Sequence, residues 1–396
     1  MSFGRTVAIL ALILGGSGQP GPGPGLLDSG PPHRPAQPQE LAAALQSALD
    51  ELTRPASVPG ATLGVVLADG TVIGLAAGVS DTTAARAMDP SDRMLQGSVG
   101  KTYVSAVALQ LVGEGRLDLD AAVSSYLGHL PYFDRIPNAS GITVRNLMNH
   151  TSGIVRYEFN PRFMEDLTAD PSRTFTVEDR LAYLFDADPP FAPGEGWDYS
   201  DTNYILLGMI LEEIGDRPLY AQIQDRLLDP FGLDDTVPSD SPDVPGLVQG
   251  YAGPDNPFGG FDAMMVDGRL AINPQFEWAG GGMASTATDL ARWMKEVHEG
   301  RVFGTALFGD FRDGIPAPLG PNGHYGLGVI MMTLPEWEAW GHSGFMPGYR
   351  TEAYYFPDHG FSLALQVNTS AAGAFAQSPL RTVNALAGIG VSRLEG

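Results

Sequence analysis

Strand-like segments crowd the two ends of this chain and leave the middle to helices, which limits its possible folds more than any other feature. Near the N-terminus, residues 61–67 and 72–77 are apolar runs joined by Asp69-Gly70, a strong tight-hairpin signal. Near the C-terminus, residues 337–342, 350–356 and 361–368 read as three further strands, the last two separated by the turn Pro357-Asp358-His359-Gly360. Helical periodicity fills the rest. A first helix starts near Glu40, with Leu41, Leu45, Ala48, Leu49 and Leu52 on one face. Residues 98–113 are apolar all round and predict a buried helix. Residues 144–148, 203–214 and 284–297 follow, the last capped by Thr286 or Thr288, and 379–387 closes the chain. Gly, Pro and Asp are dense over 228–262, which reads largely as loop. The simplest arrangement is an α+β fold: one antiparallel sheet built from both termini, flanked by helices, with a mostly helical insertion over about 114–275.

The 396 residues suit one large or two intimate domains, and 43% apolar content is ample for a core. A formal net charge of −23 argues against nucleic acid or an anionic membrane as partner. The absence of cysteine excludes disulfides, thiolate metal sites, a cysteine nucleophile and a lipidated anchor. Arg5, the apolar run 7–14 and the small residues 15–18 have the layout of an export signal over residues 1–18. A Pro/Gly-rich linker over 19–38 follows, and then the folded domain, 39–396. The expected location is therefore periplasmic or secreted, with no membrane span after signal cleavage. The histidines lack His-x-x-x-His spacing, and Gly280-Gly281-Gly282 lacks the Lys-Ser/Thr of a phosphate loop, so neither metal nor nucleotide cofactor is expected.

Only two lysines occur, Lys101 and Lys295, against twenty-one arginines. Lys295 reads as an exposed helix residue. Lys101 lies three residues after Ser98, and positions i and i+3 share a helix face. A lysine can be pushed to lose its proton by burial, which an arginine effectively cannot. A serine with an amine neighbour is the minimum an activated oxygen nucleophile requires.

Two further segments give that pair company: Tyr199-Ser200-Asp201, and Gly341-His342-Ser343-Gly344-Phe345 on an expected strand. Together the three resemble the serine β-lactamase and penicillin-binding protein superfamily. The resemblance is strongest to the branch of class C β-lactamases, D-Ala-D-Ala carboxypeptidases, D-aminopeptidases and family VIII esterases, which carries Ser-x-x-Lys, Tyr-x-Asn and Lys/His-Thr/Ser-Gly in this order. His150-Thr151-Ser152-Gly153 and residues 279–285 also look like segments of this branch. The resemblance implies Ser98 as nucleophile, Lys101 as the group that polarises it, and Tyr199 as general base and acid. It implies an oxyanion hole from the backbone N–H groups of Ser98 and Phe345, and a cleft wall of His342, Ser343 and Gly344. Gly344 on an edge strand lets a substrate backbone approach.

Two positions depart from the pattern. Asp201 stands where the family places an asparagine, and an ionised aspartate only accepts hydrogen bonds. It pairs naturally with Lys101, which would hold the lysine charged and favour Tyr199 as proton acceptor; it also suits the N-cap of the following helix. His342 stands where lactamases place lysine, which weakens attraction for a substrate carboxylate and makes binding pH-dependent. His150, at an expected helix end, reads as structural. The resemblance implies an exported serine hydrolase that forms an acyl-enzyme on D-amino-acid peptides or amides, with D-Ala-D-Ala carboxypeptidase first. An esterase, a β-lactamase and a non-catalytic receptor for penicillin or peptidoglycan fragments stay open as alternatives.

Overall fold

All seven residues of Gly60–Val66 (β1) are buried. Such a strand needs cover on both faces and a hydrogen-bonding neighbour at both edges. The computed structural model describes residues 38–394 apart from 56, 254, 255, 257, 259 and 260. In it β1 is flanked by Val72–Asp81 (β2) and, from the other end of the chain, Phe361–Val367 (β9), with Ala61 facing Val367. The sheet also takes Arg86–Ala87 (β3), Ile315–Pro316 (β4), His324–Tyr325 (β5), Ile330–Thr333 (β6), Glu338–Met346 (β7) and Tyr349–Phe356 (β8). Its order is β3-β2-β1-β9-β8-β7-β6-β5-β4, antiparallel throughout. The expectation of one sheet from both termini is met. Gly70, at φ +87°, makes the hairpin turn between β1 and β2.

Helices cover both faces. Pro38–Thr53 (α1) buries Leu41, Leu45 and Leu49 in the same cluster as Leu63, Leu363, Leu365 and Leu386 of the closing helix. Ala287–His298 (α5) lies on the opposite face and comes so close that a Cβ on Gly64 would sit 2.1 Å from the Ala287 carbonyl oxygen. Lys101–Gly113 (α2), Val144–Met148 (α3) and Asp201–Gly215 (α4) belong to the helical body beside the sheet and share the second core cluster. Among the described residues no helix is long and apolar enough to cross a membrane. The expected export signal and linker lie outside the described residues, apart from Pro38, which opens α1.

Several expectations are corrected. The helix expected over 98–113 starts as a 3-10 turn, Gly97–Gly100, before α2. Residues three apart eclipse in that geometry, so Ser98 and Lys101 still share a face. The helix expected over 284–297 begins later: Met283–Ser285 is a short strand, and Thr286 caps α5. The closing helix runs to Leu394 (Pro379–Leu394, α6). Lys295 is not exposed. It is 6% accessible, and its ammonium donates to Glu299 at 2.5 Å and to the Gly360 carbonyl at 2.7 Å. A helix lying flat on a sheet buries side chains that periodicity alone assigns to solvent.

Glycines fix how β7 meets the turn that carries Ser98. Only the first half of β7, Glu338 to Gly341, pairs with β6; from His342 onward β8 is its only strand partner among the described residues. The face of β7 on which Gly344 lies abuts the turn. A Cβ on Gly344 would fall 1.9 Å from the Gln96 carbonyl, and one on Gly97 (φ +54°) 2.6–2.8 Å from the Phe345 backbone. On the other side, a Cβ on Gly281 (φ +150°) would lie 2.5 Å from the Gly97 carbonyl. Gly344→Ala should therefore push β7 off the turn and cost about 1–3 kcal/mol of stability in urea unfolding, as overpacking does. Unchanged unfolding would show that the contact between strand and turn yields freely.

Candidate active site

Lys101 is wholly buried at the start of α2. Its ammonium has three N–H groups, and three acceptors surround it: Ser98 Oγ at 3.1 Å, Asp201 Oδ1 and the Gly280 carbonyl. Burial would strip the charge from this amine, but Asp201, Tyr199 and Glu277 outweigh it and raise its pKa above the ordinary value. Lys101 is a charged donor to Ser98.

Asp201 is the first residue of α4. The N-cap position expected for it belongs to Ser200. Its carboxylate is instead taken on both oxygens, Oδ1 by Lys101 and Oδ2 by Arg156. Burial would raise its pKa; Arg156 and Lys101 reverse this and hold it well below the ordinary carboxylate range. A helix N-terminus adds to that preference for a negative charge. Arg156 packs its guanidinium on Phe159, 4.3 Å from the ring centroid, and near Tyr199, at 5.5 Å. Two more buried carboxyls stand close. Burial and the Asp201 charge lift Glu277 to about 7 and Glu158 well above its usual range. Asp201 is thus the ionised member of the group.

Tyr199 is gripped from both sides by His150. The His150 carbonyl accepts from Asp198 N at 3.1 Å, and its Nδ1 accepts from Ser200 N at 3.3 Å and Asn203 Nδ2 at 3.0 Å. Two donors on Nδ1 leave the proton on Nε2 and the ring neutral, in agreement with a pKa that burial and then Lys101 push well down. The imidazole lies 4.2 Å from the Tyr199 ring, and its residue holds φ +63°, in the left-handed region. His150 is structural, as expected, but its structural task is to place Tyr199. Burial and Asp201 raise the Tyr199 phenol above its ordinary pKa, although Lys101 and Ser98 pull the other way. The hydroxyl makes no hydrogen bond of good geometry.

His342 differs from its expected role. It is 1% accessible; its Nδ1 lies 2.6 Å from the Ser343 carbonyl, which only accepts, so Nδ1 carries the proton. Nε2 then accepts from the Tyr325 hydroxyl at 3.0 Å. Both nitrogens are used, and burial, with Lys101 nearby, drives the pKa down to about 3. The expected pH-dependent binding through this imidazole has no basis in such a setting.

Ser98, Tyr199, His342, Ser343, Gly344 and Phe345 line one pocket, so six of the eight residues read from sequence come together. Lys101 and Asp201 lie beneath it, with side chains 0% and 3% accessible, and Asp201 does not reach the substrate side. The pocket is completed by Leu319, Ile330, Arg350 and Glu352. Arg156, Glu277, Arg350 and Glu352 were not singled out in the sequence; no spacing rule links Arg156 to a carboxylate 45 residues away. Among the described residues no cluster of side chains could hold a metal ion.

Residues 45–387 match the Beta-lactamase family. The chain is 26% identical over 341 residues to the D-aminopeptidase of Brucella ovis, covering 84% of this chain and 60% of that one. It therefore spans less than two thirds of these longer relatives. A D-stereospecific amidohydrolase from Streptomyces is 29% identical, covers 87% of this chain and 98% of its own, and superposes with a TM-score of 0.74. The D-amino acid amidase of Ochrobactrum anthropi SV3, complexed with D-phenylalanine, shares the fold at 23% identity, with 90% of this chain and 99% of its own covered and a TM-score of 0.74.

Two outcomes follow from the charges. Asp201→Asn restores the residue usual in the resembling enzymes, yet here it takes the carboxylate from the buried Lys101 and the half-buried Arg156; unfolding should show a loss of about 3–5 kcal/mol. An unchanged or raised stability would mean that Arg156 is not held by Asp201. His342→Gln should leave the acid limb of the kcat/KM profile where it is, because the imidazole stays neutral down to about pH 3. A limb near about pH 6.5 that vanishes in the variant would contradict this.

Proposed function

The chain belongs to the Beta-lactamase family and is a serine hydrolase, and from that premise we propose that it cleaves amides and short peptides of D-amino acids through an acyl-enzyme on Ser98. The observation that carries the chemistry is the Ser98–Lys101 contact at 3.1 Å at the floor of the pocket. Support for the substrate class comes from the D-aminopeptidase and D-stereospecific amidohydrolase relatives. The layout of residues 1–18 supports action outside the cytoplasm.

Ser98 Oγ attacks the amide carbon, and its proton goes to Tyr199. Lys101 cannot take it, because all three of its N–H groups are committed as donors. Lys101 instead stabilises charge on Oγ. The backbone N–H groups of Ser98 and Phe345 serve the oxyanion, each such donor being worth roughly 3–4 kcal/mol. Tyr199 then gives its proton to the departing nitrogen as the C–N bond breaks. Water attacks the ester, Tyr199 takes its proton and returns it to Ser98, and a free D-amino acid leaves. Because burial and Asp201 keep the phenol protonated at rest, its proton must first pass to solvent as substrate binds, and the phenolate so formed is the base that accepts from Ser98.

A second reading, carboxypeptidase-like cleavage at a terminal carboxylate, draws on Arg350 in the pocket wall. His342 is neutral and gives that reading no help. Hydrolysis of D-phenylalaninamide, L-phenylalaninamide and an acyl-D-Ala-D-Ala peptide separates the two. The D-amide should turn over fastest, Ser98→Ala should abolish turnover, and Tyr199→Phe should lower it about 10²–10⁴-fold. Lys101→Arg should lose nearly all activity although charge is kept. Faster release of D-alanine from the peptide would favour the carboxypeptidase, and an active Lys101→Arg variant would contradict the role given to the lysine.

A further inference from the structure

Tyr199 must become a phenolate before it can accept from Ser98, and Lys101 does not account for the charge that a phenolate needs beside it. The Lys101 ammonium, 5.0 Å from the ring centroid, is already matched by the Asp201 carboxylate that it touches. His150 and His342, with rings 4.2 and 6.2 Å from that of Tyr199, are neutral and add no charge. Tyr325, at 6.0 Å, is held protonated by burial. That leaves Arg156. Its guanidinium carbon lies 5.5 Å from the Tyr199 ring centroid, and Nη2 donates to the other oxygen of Asp201. Nε and Nη1 are closed off from water and find no hydrogen-bond partner among the described residues. A cation sheltered in this way acts on its neighbours through a low effective dielectric. Taken together, Lys101, Arg156 and Asp201 carry one net positive charge, which a phenolate would neutralise. Without Arg156 they carry none, and the phenolate would stand unmatched. Glu158 and Glu277 also face this group, Glu158 at 3.5 Å from Nη2. Burial and then Asp201 hold both above the ordinary carboxyl range, Glu277 up to about 7, so neither cancels Arg156 in mildly acid solution.

We propose that Arg156 is a positioning residue for the reaction, acting through Tyr199 as the positive charge that lets the phenol give up its proton. The proposal rests on the reading of Tyr199 as the base that accepts from Ser98, and it names the group that makes that base attainable. An arginine suits the place. Its planar fork holds a carboxylate while its face lies against rings, here those of Phe159, at 4.3 Å, and Tyr199. An opposite charge at such range moves a titrating group by roughly 1–3 pKa units, so loss of Arg156 should thin the phenolate population about 10- to 100-fold.

The test follows acylation of Ser98 at about pH 6, below the range in which Glu277 ionises, by D-phenylalaninamide and by the activated ester p-nitrophenyl acetate. Arg156→Gln should lower kcat/KM for both about 10- to 100-fold, and Arg156→Lys should restore much of it. In a Tyr199→Phe background Arg156→Gln should change nothing further. An equal loss with and without the phenol would mark a merely structural role and overturn the proposal, as would full activity in Arg156→Gln or a lysine variant no better than glutamine. Arg156→His reads the charge within one folded protein: its deficit against the unmodified chain should widen between about pH 5.5 and about pH 8 as the imidazole loses its proton. A deficit that ignores pH would contradict the proposal. Amide turnover by the unmodified chain judges the substrate class separately. Ester acylation that depends on Arg156, without amide turnover, would leave the proposal standing and remove that class; a Ser98 acylated by neither compound would overturn both.

Discussion

One carboxylate, Asp201, holds this site in its working form. It stands between the two cations Lys101 and Arg156 in a region closed to water, with one oxygen for each. An ion pair so placed contributes little net stability, because desolvation opposes attraction; removing one member, however, strands the others. The arrangement therefore acts as a constraint more than as a source of stability. It fixes Lys101 as an ammonium, aims it at Ser98, and ties the start of α4 to the Arg156 loop across the Tyr199 ring.

That constraint works only because the backbone around it is rigid. Gly97, Gly281 and Gly344 allow three chain segments to meet at distances that a side chain would forbid. Behind them His150, Tyr199, Tyr325 and His342 form one aromatic group with ring centroids 4.2–6.2 Å apart. Neither imidazole acts as a proton carrier here. His150 sets the height of Tyr199 through the two N–H groups that flank it, and His342 receives Tyr325. The reacting groups thus sit on fixed supports, and the proton traffic falls to Tyr199.

Short-range rules made much of this legible in the sequence. Two apolar runs around the Asp69-Gly70 turn gave the hairpin, and an i, i+3 spacing gave Ser98 and Lys101. Order along the chain gave Tyr199 and the Gly341–Phe345 segment. Tertiary packing hid the rest. Arg156 lies in a loop and meets Asp201 only after α4 is placed. Glu352 lies in a strand buried at all eight positions, where a carboxyl looks like an interruption of the apolar pattern. Lys295 was misread because both sides of α5 near its end are covered, one by the sheet and one by the loop at Gly360. Ser200 holds the N-cap position without a side-chain cap bond, and Asp201, one residue further on, gives its carboxylate to the two cations.

The scarcity of lysine offers a direct view of the central claim, that Asp201 keeps Lys101 charged so that it cannot serve as the base. Lysine labelled with ¹³C at Cε would give two side-chain signals, assigned by Lys295→Arg. Followed by NMR from about pH 6 to about pH 10, the Lys101 signal should keep the shift of an ammonium throughout, since its pKa lies above the ordinary value of about 10.4. A titration midpoint below about pH 9 would show a lysine free to lose its proton and would contradict the account.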